Sequence, residues 1–371
     1  MDLPQRAIRY KAIEDFRQRP LIVYATSTRP GVPARIAGDA VREFIDQIDI
    51  IPREVHAIDV LIHSTGGDAL AAWKLMSVLR ERFDSVAVLV PYMAFSAATI
   101  FALGADEIVM HPHASLGPID PQITMRMPDG SQRQFAFEDV GAFLRFLSEE
   151  IGITEQAHTT AIVDKLFSVV DPINVGASKR ASELATDVGE RLLRMHMTNA
   201  KDRARARSIA EGLNKSFFAH SDAVSRSRAR ELRLKIAKDN TQLESLLWTA
   251  YLAIESHMTF RIPFNALQYF LANGGAAGLA QPGPLILPPN TPPQLVNQIW
   301  TQAAQQALQG MSQPSVEVAF TLVNAVVESP RLCSEFKTSG KLAATRLAGG
   351  QIQIAGTDTE IGWKQIPVAL P

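Results

Sequence analysis

Two short polar segments of this sequence contain residue types that could bind an anion or act as a nucleophile. The first, residues 62–68 (IHSTGGD), places two glycines between an apolar run and a helix-forming run. Glycines let the backbone turn tightly and expose amide N–H groups, which suit a phosphate or a developing oxyanion. A βα turn without any function explains Gly66 and Gly67 equally well. This segment alone therefore leaves both an anion site and a plain turn open.

The second segment, residues 93–99 (MAFSAAT), places Ser96 at the start of an apolar helix-forming run. A hydroxyl there lies at the positive end of the helix dipole, and its small neighbours leave space for a substrate. The same small neighbours leave room for the backbone N–H of Ala97 to point at a substrate oxygen. This arrangement is typical of a nucleophile, but an ordinary serine N-cap also fits.

Both polar segments follow apolar runs that read as buried strands. Four such runs are each too short for a helix and rich in Val, Ile or Leu, and they cover residues 21–25, 58–63, 86–90 and 107–110. Apolar residues recur at helical spacing over residues 34–48 and 69–83, between the first three runs. The β-α-β alternation predicts a mostly parallel sheet covered by helices, with functional loops at the carboxyl ends of the strands.

The chain beyond residue 121 is predicted to be a hairpin followed mostly by helices. The hairpin covers residues 123–137, and the helical patterns cover residues 139–150, 159–170, 178–197, 203–213, 242–257, 293–308 and 315–327. Residues 282–293 are dense in proline and are typical of an extended linker. We therefore expect a domain over residues 1–240 and a mainly helical C-terminal extension over residues 241–371.

Composition and charge exclude several classes of protein. The chain has 371 residues, 46% of them hydrophobic and 20% charged, which excludes general disorder, a collagenous repeat and a coiled-coil rod. The net charge of −1 gives no whole-protein reason to expect nucleic acid or an anionic membrane as partner. Because Cys333 is the only cysteine, one chain can form neither a disulfide framework nor a thiolate metal cluster.

The sequence also predicts a cytoplasmic protein without an integral membrane segment. Residues 1–16 mix both signs of charge and lack the apolar run of a secretory signal. Residues 85–105 carry no charge and are long enough to span a bilayer, but Pro91 interrupts them. We therefore expect a buried strand, a turn and a buried helix there.

The order of these units resembles that of the Clp-fold serine peptidases. The Gly-Gly unit and the Ser96 unit are followed by residues 105–121, which read ADEIVMHPHASLGPIDP. On these motifs the chain is identified as a member of the serine dehydrogenase proteinase family, related to signal peptide peptidase A. The resemblance is specific over residues 21–122 and looser over residues 171–236. It implies a Clp/crotonase-like α/β fold and a serine endopeptidase that needs no metal or organic cofactor.

The resemblance also implies roles for individual residues. Ser96 would be the nucleophile that forms the acyl-enzyme, and the amides of Gly67 and Ala97 would form the oxyanion hole. The segment with the two glycines would hold a peptide substrate as an added strand, which makes Gly66 and Asp68 the predicted substrate-binding residues.

The general base is predicted from the same relatives. The Clp proteolytic subunit has a histidine near the counterpart of residues 119–120, but this sequence has none there. Signal peptide peptidase A uses a lysine in a Gly-x-Tyr-Lys context, and residues 176–179 (GASK) offer Lys179, with serine in place of the tyrosine. A lysine can accept the proton if burial lowers its pKa. Lys165 and His113 remain alternatives, and His220 is expected to be structural.

Two other functions stay open from the sequence. Residues 191–238 contain thirteen basic and four acidic residues, so a non-catalytic scaffold could bind an anionic partner there. An acyl-thioester hydrolase or hydratase of the same fold would use a similar oxyanion hole. Clp-fold relatives associate through helical extensions, and the apolar faces of residues 242–257 and 315–327 predict a homo-oligomer.

Overall fold

The computed structural model describes residues 2–126, 130–168, 170–215, 223–275, 292–293, 295–299, 301–302, 317–346 and 352–366. The helices are α1 (Leu3–Arg17), α2 (Ala40–Asp49), α3 (Ala69–Arg82), α4 (Ala97–Leu103), α5 (Phe137–Arg145), α6 (Gln156–Phe167), α7 (Pro172–Arg194), α8 (Ala200–Lys215), α9 (Arg226–Glu231), α10 (Thr241–Met258) and α11 (Ala266–Phe270). The strands are β1 (Leu21–Thr26), β2 (Ala57–His63), β3 (Ser85–Val90), β4 (Met93–Ala94), β5 (Glu107–Met110), β6 (Ser115–Leu116), β7 (Ile123–Arg126), β8 (Gln132–Phe135), β9 (Val224–Ser225), β10 (Val318–Glu328), β11 (Cys333–Arg346) and β12 (Ile352–Ile366). A π-helical turn over Phe146–Glu150 continues α5, and Leu271–Gly275, which follows α11, has non-helical backbone angles at Asn273 and Gly274.

A seven-stranded sheet lies at the centre, in the order β12-β11-β10-β1-β2-β3-β5. Its β1, β2, β3 and β5 strands are parallel and coincide with the four predicted apolar runs. The remaining three strands are antiparallel to their neighbours. The predicted α/β fold class and parallel core are therefore confirmed.

Helices cover both faces of the parallel strands. Alternate residues of a strand point to opposite faces, and on β2 Val60 and Ile62 join the core with α2, α3 and α4. Leu61 points the other way and packs with α1 and α10. Burial on both faces explains why these strands read as continuous apolar runs.

The antiparallel strand β10 corrects one sequence prediction. Residues 315–327 were predicted to be a helix, but the chain over Val318–Glu328 pairs with β1 and β11. The side chains of Val318, Phe320 and Leu322 are buried and alternate with exposed ones, which is the period of a strand. The C-terminal extension thus contains the predicted helix α10, followed beyond residue 317 by three long strands.

A buried polar network joins the N-terminal helix to these C-terminal strands. Arg6 on α1 forms an ion pair of 2.8 Å with Glu328 on β10, and both side chains are almost completely buried. The hydroxyl of Tyr10 donates to the same carboxylate at 2.5 Å. The Cys333 thiol also contacts Glu328, at 3.3 Å, and burial raises its pKa. Because a buried charge is stable only when paired, this network requires α1 and β10 to pack together.

The domain division at residue 240 remains a prediction. The pairing of β10 with β1 brings residues from both sides of that division into one sheet. The proline-rich residues 282–291 lie outside the described part of the chain. Residues 85–105 form β3, β4 and α4, as expected for a buried strand, turn and helix. None of the helices in the described part of the chain combines the length and the hydropathy of a bilayer-spanning segment.

The apolar faces that predicted a homo-oligomer are covered within the chain. Leu247 and Ile254 of α10 are fully buried against α1 and the sheet, and β10 lies inside the sheet. The exposed apolar side chains include several on α5, on α6 and in the segment that joins them, namely Phe143, Leu144, Phe146, Ile151 and Phe167. The homo-oligomer remains a prediction.

His63, the last residue of β2, is fully buried beneath α10. Its ring packs 5.1 Å from that of Tyr251 and 5.0 Å from that of Phe260. The Nδ1 atom has no hydrogen-bond partner among the described residues, and Nε2 lies 3.4 Å from the Thr28 hydroxyl. Burial lowers the pKa of His63 to about 3, so the imidazole is neutral in the folded protein.

We expect this buried imidazole to destabilise the fold in acid. The unfolded chain binds a proton at His63 below pH ~6.5, whereas the folded chain does so only near pH 3. The contribution of His63 to the free energy of unfolding is therefore complete above pH ~6.5, the unfolded pKa. Between that pH and about 3 it falls with decreasing pH by up to about 1.4 kcal/mol per pH unit. Denaturant unfolding from pH 7 to 4 should show a shallower pH dependence for His63→Phe than for wild type. His158→Phe, at an exposed site, should keep the wild-type slope.

Candidate active site

Two neighbouring parallel strands deliver the predicted site residues to one edge of the sheet. β2 ends at His63 and continues into residues 64–68, and β3 ends at Val90 and continues through β4 to Ser96. The two continuations are hydrogen-bonded to each other. The Ser64 N–H donates to Met93 O at 3.2 Å, and the Phe95 N–H donates to Ser64 O at 3.0 Å. The Gly-Gly segment and the serine segment therefore lie side by side.

Ser96 has a backbone conformation that is rare for a residue with a side chain. Its φ of 51° and ψ of −118° lie outside the regions open to most L-residues. Its hydroxyl forms no cap with α4, and no described residue is hydrogen-bonded to it. The interpretation of Ser96 as an ordinary N-cap is therefore wrong. Strained residues of this kind persist only where the surrounding structure holds them in place, and they cluster at functional sites.

Both glycines are required by their close neighbours. A Cβ atom at Gly66 would lie 2.6 Å from the Ser96 Cβ, and one at Gly67 would lie 2.2 Å from Ile36 O. Their φ values of 114° and 150° favour glycine as well. Gly66 thus allows the chain to pass close beside Ser96, where a Cβ atom would also lie only 3.1 Å from the hydroxyl oxygen.

The pairing of Ile36 determines where the Gly67 amide points. The Ile36 N–H donates to Gly66 O, and the Asp68 N–H donates to Ile36 O. Since backbone groups alternate in direction along an extended segment, the Gly67 N–H points away from Ile36. Within the described part of the chain, neither this N–H nor that of Ala97 has an acceptor. This pairing also explains why α2 begins at Ala40 and not at residue 34, as the helical pattern predicted.

Asp68 has a structural contact of its own. Its carboxylate accepts a hydrogen bond from the Leu70 N–H at 2.8 Å and caps α3. Capping accounts for an aspartate at this position without a ligand. Its predicted role in substrate binding, like that of Gly66, remains a prediction.

None of the predicted bases in the described part of the chain is hydrogen-bonded to the Ser96 hydroxyl. Lys179 is exposed over 58% of its side chain, and its Nζ lies 3.8 Å from Glu183 Oε1. The burial expected of a neutral lysine is therefore absent. Lys165 is also exposed, and His113 packs against Trp248 of α10. His220 lies outside the described residues.

Three hydroxyl side chains around this site were missed by the sequence analysis. The Thr99 hydroxyl lies 2.7 Å from Ala94 O and also accepts from the Gly117 N–H at 3.0 Å. Ser64 contacts Thr26 at 2.7 Å. For Ser64 the sequence did contain a signal, because it stands two residues before Gly66 in a tight turn. A serine hydroxyl in that position often bonds the backbone two residues further on.

Seven of the thirteen basic side chains in residues 191–238 form ion pairs among the described residues, one of them between Arg205 and Asp202. The others join Arg191 to Asp187, Arg194 to Glu190, Arg207 to Glu211, Arg226 to Glu244, Arg228 to Glu231 and Arg230 to Asp239. These acidic partners reduce the charge available to an anionic ligand. Among the described residues, no group of three or more His, Cys, Asp or Glu side chains could hold a metal ion.

Residues 36–138 match a family described as ClpP-like SDH-type serine proteinase. This match includes both polar segments described above. Two uncharacterised proteins of Methanocaldococcus jannaschii are each 40% identical to this chain over 81 residues, or 22% of its length. The chain spans 27% and 28% of the length of these curated relatives.

Solved structures give a looser likeness. A mutant of the 1510-N membrane-bound stomatin-specific protease is 17% identical, with a TM-score of 0.36, over 62% of this chain and 84% of that chain. ClpP1 from Listeria monocytogenes is 13% identical, with a TM-score of 0.33, over 64% of this chain and 99% of that chain. At these values we transfer no residue role from either structure.

Proposed function

We propose that this chain, whose residues 36–138 belong to the ClpP-like SDH-type serine proteinases, is a serine endopeptidase that acts through an acyl-enzyme on Ser96. One observation carries the proposal. The Ser96 hydroxyl, which no described residue bonds, belongs to a residue with a φ of 51° and lies beside the Gly-Gly segment. In that segment the Gly67 N–H points away from Ile36 and has no acceptor among the described residues. A nucleophile beside a segment with an unoccupied amide donor suits acyl transfer.

In the proposed reaction, the Ser96 Oγ attacks the carbonyl carbon of the scissile peptide bond. Its proton passes to the general base, and the amides of Gly67 and Ala97 donate to the oxygen that becomes negative. The C–N bond then breaks, and the leaving amine takes the proton from the base. Water attacks the resulting ester, gives its proton to the base, and the acid is released as Ser96 Oγ is reprotonated.

A substrate peptide would lie extended along residues 65–68. Thr65, Gly67 and Asp68 are exposed, and the Gly67 N–H, which has no acceptor among the described residues, is accessible to a strand-like ligand. Main-chain hydrogen bonds would supply affinity in this arrangement, and side-chain pockets would supply selectivity. The cleaved sequence, the cytoplasmic location and the assembly of several chains also belong to this proposal.

Incubation with a quenched-fluorescence peptide library tests the proposed activity. We expect cleavage that stops after stoichiometric reaction with a fluorophosphonate. Cleavage of an acyl thioester without cleavage of any peptide would instead favour the thioester-processing alternative. A salt-sensitive complex with nucleic acid and no cleavage would favour the scaffold alternative.

Lys179 remains the proposed base on one condition. A second chain or the bound substrate must cover the first turns of α7, so that Lys179 leaves Glu183 and loses water. Burial would then lower the pKa of the amine and allow it to accept the serine proton.

We expect Lys179→Met to abolish acylation of Ser96, because methionine keeps the length of the side chain but cannot accept a proton. Lys165→Met is the matched control, since Lys165 is also exposed, and it should retain the wild-type rate. The measurement is the rate of labelling by a fluorophosphonate. Equal labelling of Lys179→Met and wild type would remove this lysine from the mechanism.

A further inference from the structure

Two buried hydroxyl groups lie behind the candidate active site and take no part in the proposed chemistry. Thr26, at the end of β1, and Ser64, just after β2, are both fully buried. Their hydroxyl oxygens are 2.7 Å apart, which is the length of a strong O–H···O hydrogen bond. Buried hydroxyl groups that face each other so closely restrain both side chains.

Ser64 is bonded to both halves of the site. Its hydroxyl accepts a hydrogen bond from the Gly66 N–H at 3.0 Å, which holds the first glycine of the turn. Its backbone bonds Met93 and Phe95, which lead directly to Ser96. One residue therefore links the segment with the free Gly67 N–H to the segment with the nucleophile.

Thr26 completes the bonding of this hydroxyl. A serine hydroxyl donates once and accepts through two lone pairs, and the Gly66 N–H uses one of these acceptor positions. The remaining hydrogen-bonding positions of the hydroxyl are used by the contact with Thr26 and by a longer contact of 3.4 Å to Gly66 O. Without Thr26, the Ser64 side chain would have no partner on β1 to hold its rotamer.

We infer that Ser64, held in place by Thr26, is a positioning residue that sets the distance between the Gly67 N–H and the Ser96 Oγ. This inference rests on the proposed function. Ser64 touches neither substrate nor reacting atoms, so it acts through Gly66. Its effect should fall on the transition state more than on substrate binding, because only the oxyanion needs the Gly67 N–H at a fixed distance.

Conservative changes at Thr26 separate this role from a general loss of stability. Thr26→Val keeps the shape of the side chain and removes the hydroxyl, whereas Thr26→Ser keeps the hydroxyl. We expect Thr26→Val to lower kcat and the rate of fluorophosphonate labelling by about 10- to 100-fold, with KM within about threefold of wild type. Thr26→Ser should label at close to the wild-type rate, and Ser64→Ala should resemble Thr26→Val.

Two matched controls lie away from the site. Thr338→Val removes a hydroxyl on β11 that bonds Asn324, and Ser77→Ala removes one on α3 that bonds Trp73 O. Both should label at the wild-type rate, and thermal melts should show all variants folded at the assay temperature.

The outcomes distinguish this inference from the proposed function. If wild type labels, and Thr26→Val and Ser64→Ala label equally fast, the positioning role alone is overturned. An equal fall in rate for Thr26→Val and Thr26→Ser would also overturn it, because the hydroxyl would then be irrelevant. Wild type that does not label would overturn the proposed function and this inference together.

Discussion

Replacing Ser96 by alanine is expected to lower peptidase turnover by about 10⁴-fold or more while the protein stays folded, because the change removes the only atom that can form the acyl-enzyme. The hydroxyl forms no hydrogen bond with a described residue, so its loss leaves no buried group unpaired. The measurement is kcat on a peptide that wild type cleaves, together with a denaturant unfolding curve.

Ser96→Gly gives the same prediction a second, independent readout. The φ of 51° strains serine but not glycine, so this variant should be equally inactive and about 1 kcal/mol more stable than wild type. Turnover in either variant within tenfold of wild type would refute the assignment of Ser96 as nucleophile. A glycine variant less stable than wild type would show that the backbone is not strained at this position.

Replacing Gly67 by valine is expected to lower the rate by about 10²- to 10³-fold, although Ser96 is unchanged. A Cβ atom at this position would lie 2.2 Å from Ile36 O, so the segment must shift and carry the Gly67 N–H away from the nucleophile. The labelling rate of Ser96 with a fluorophosphonate measures this effect directly.

Gly38→Val is the matched control for the glycine prediction. A Cβ atom there meets nothing within 4 Å, and its φ is not in the left-handed region. This variant should keep the wild-type labelling rate. A Gly67→Val protein that labels as fast as Gly38→Val would mean that the oxyanion hole lies elsewhere.

The parallel core could be predicted from sequence because its signal is local. Each strand of that core is buried on both faces, so each reads as a short apolar run with a helical pattern after it. The strand β10 was mistaken for a helix, and of its two partners only β11 follows it directly, whereas β1 lies some three hundred residues earlier in the chain. No local pattern reports such a pairing, and only the alternation over residues 318–322 indicated a strand.

The site was predicted unevenly for a similar reason. Ser96 and the two glycines lie in short segments whose residue types are unusual for their positions, so the sequence singles them out. The link between Ser64 and Thr26 spans 38 residues and depends on the register of β1 and β2. The exposure of Lys179 depends on how α7 packs, which a four-residue motif does not encode.

The central claim is that Ser96 is the nucleophile, and intact-mass spectrometry after treatment with a fluorophosphonate tests it most directly. We expect wild type to gain the mass of one phosphonyl group per chain, localised to Ser96 by peptide mapping, and Ser96→Ala to gain none. Equal labelling of both proteins, or a label on any other serine, would contradict the account.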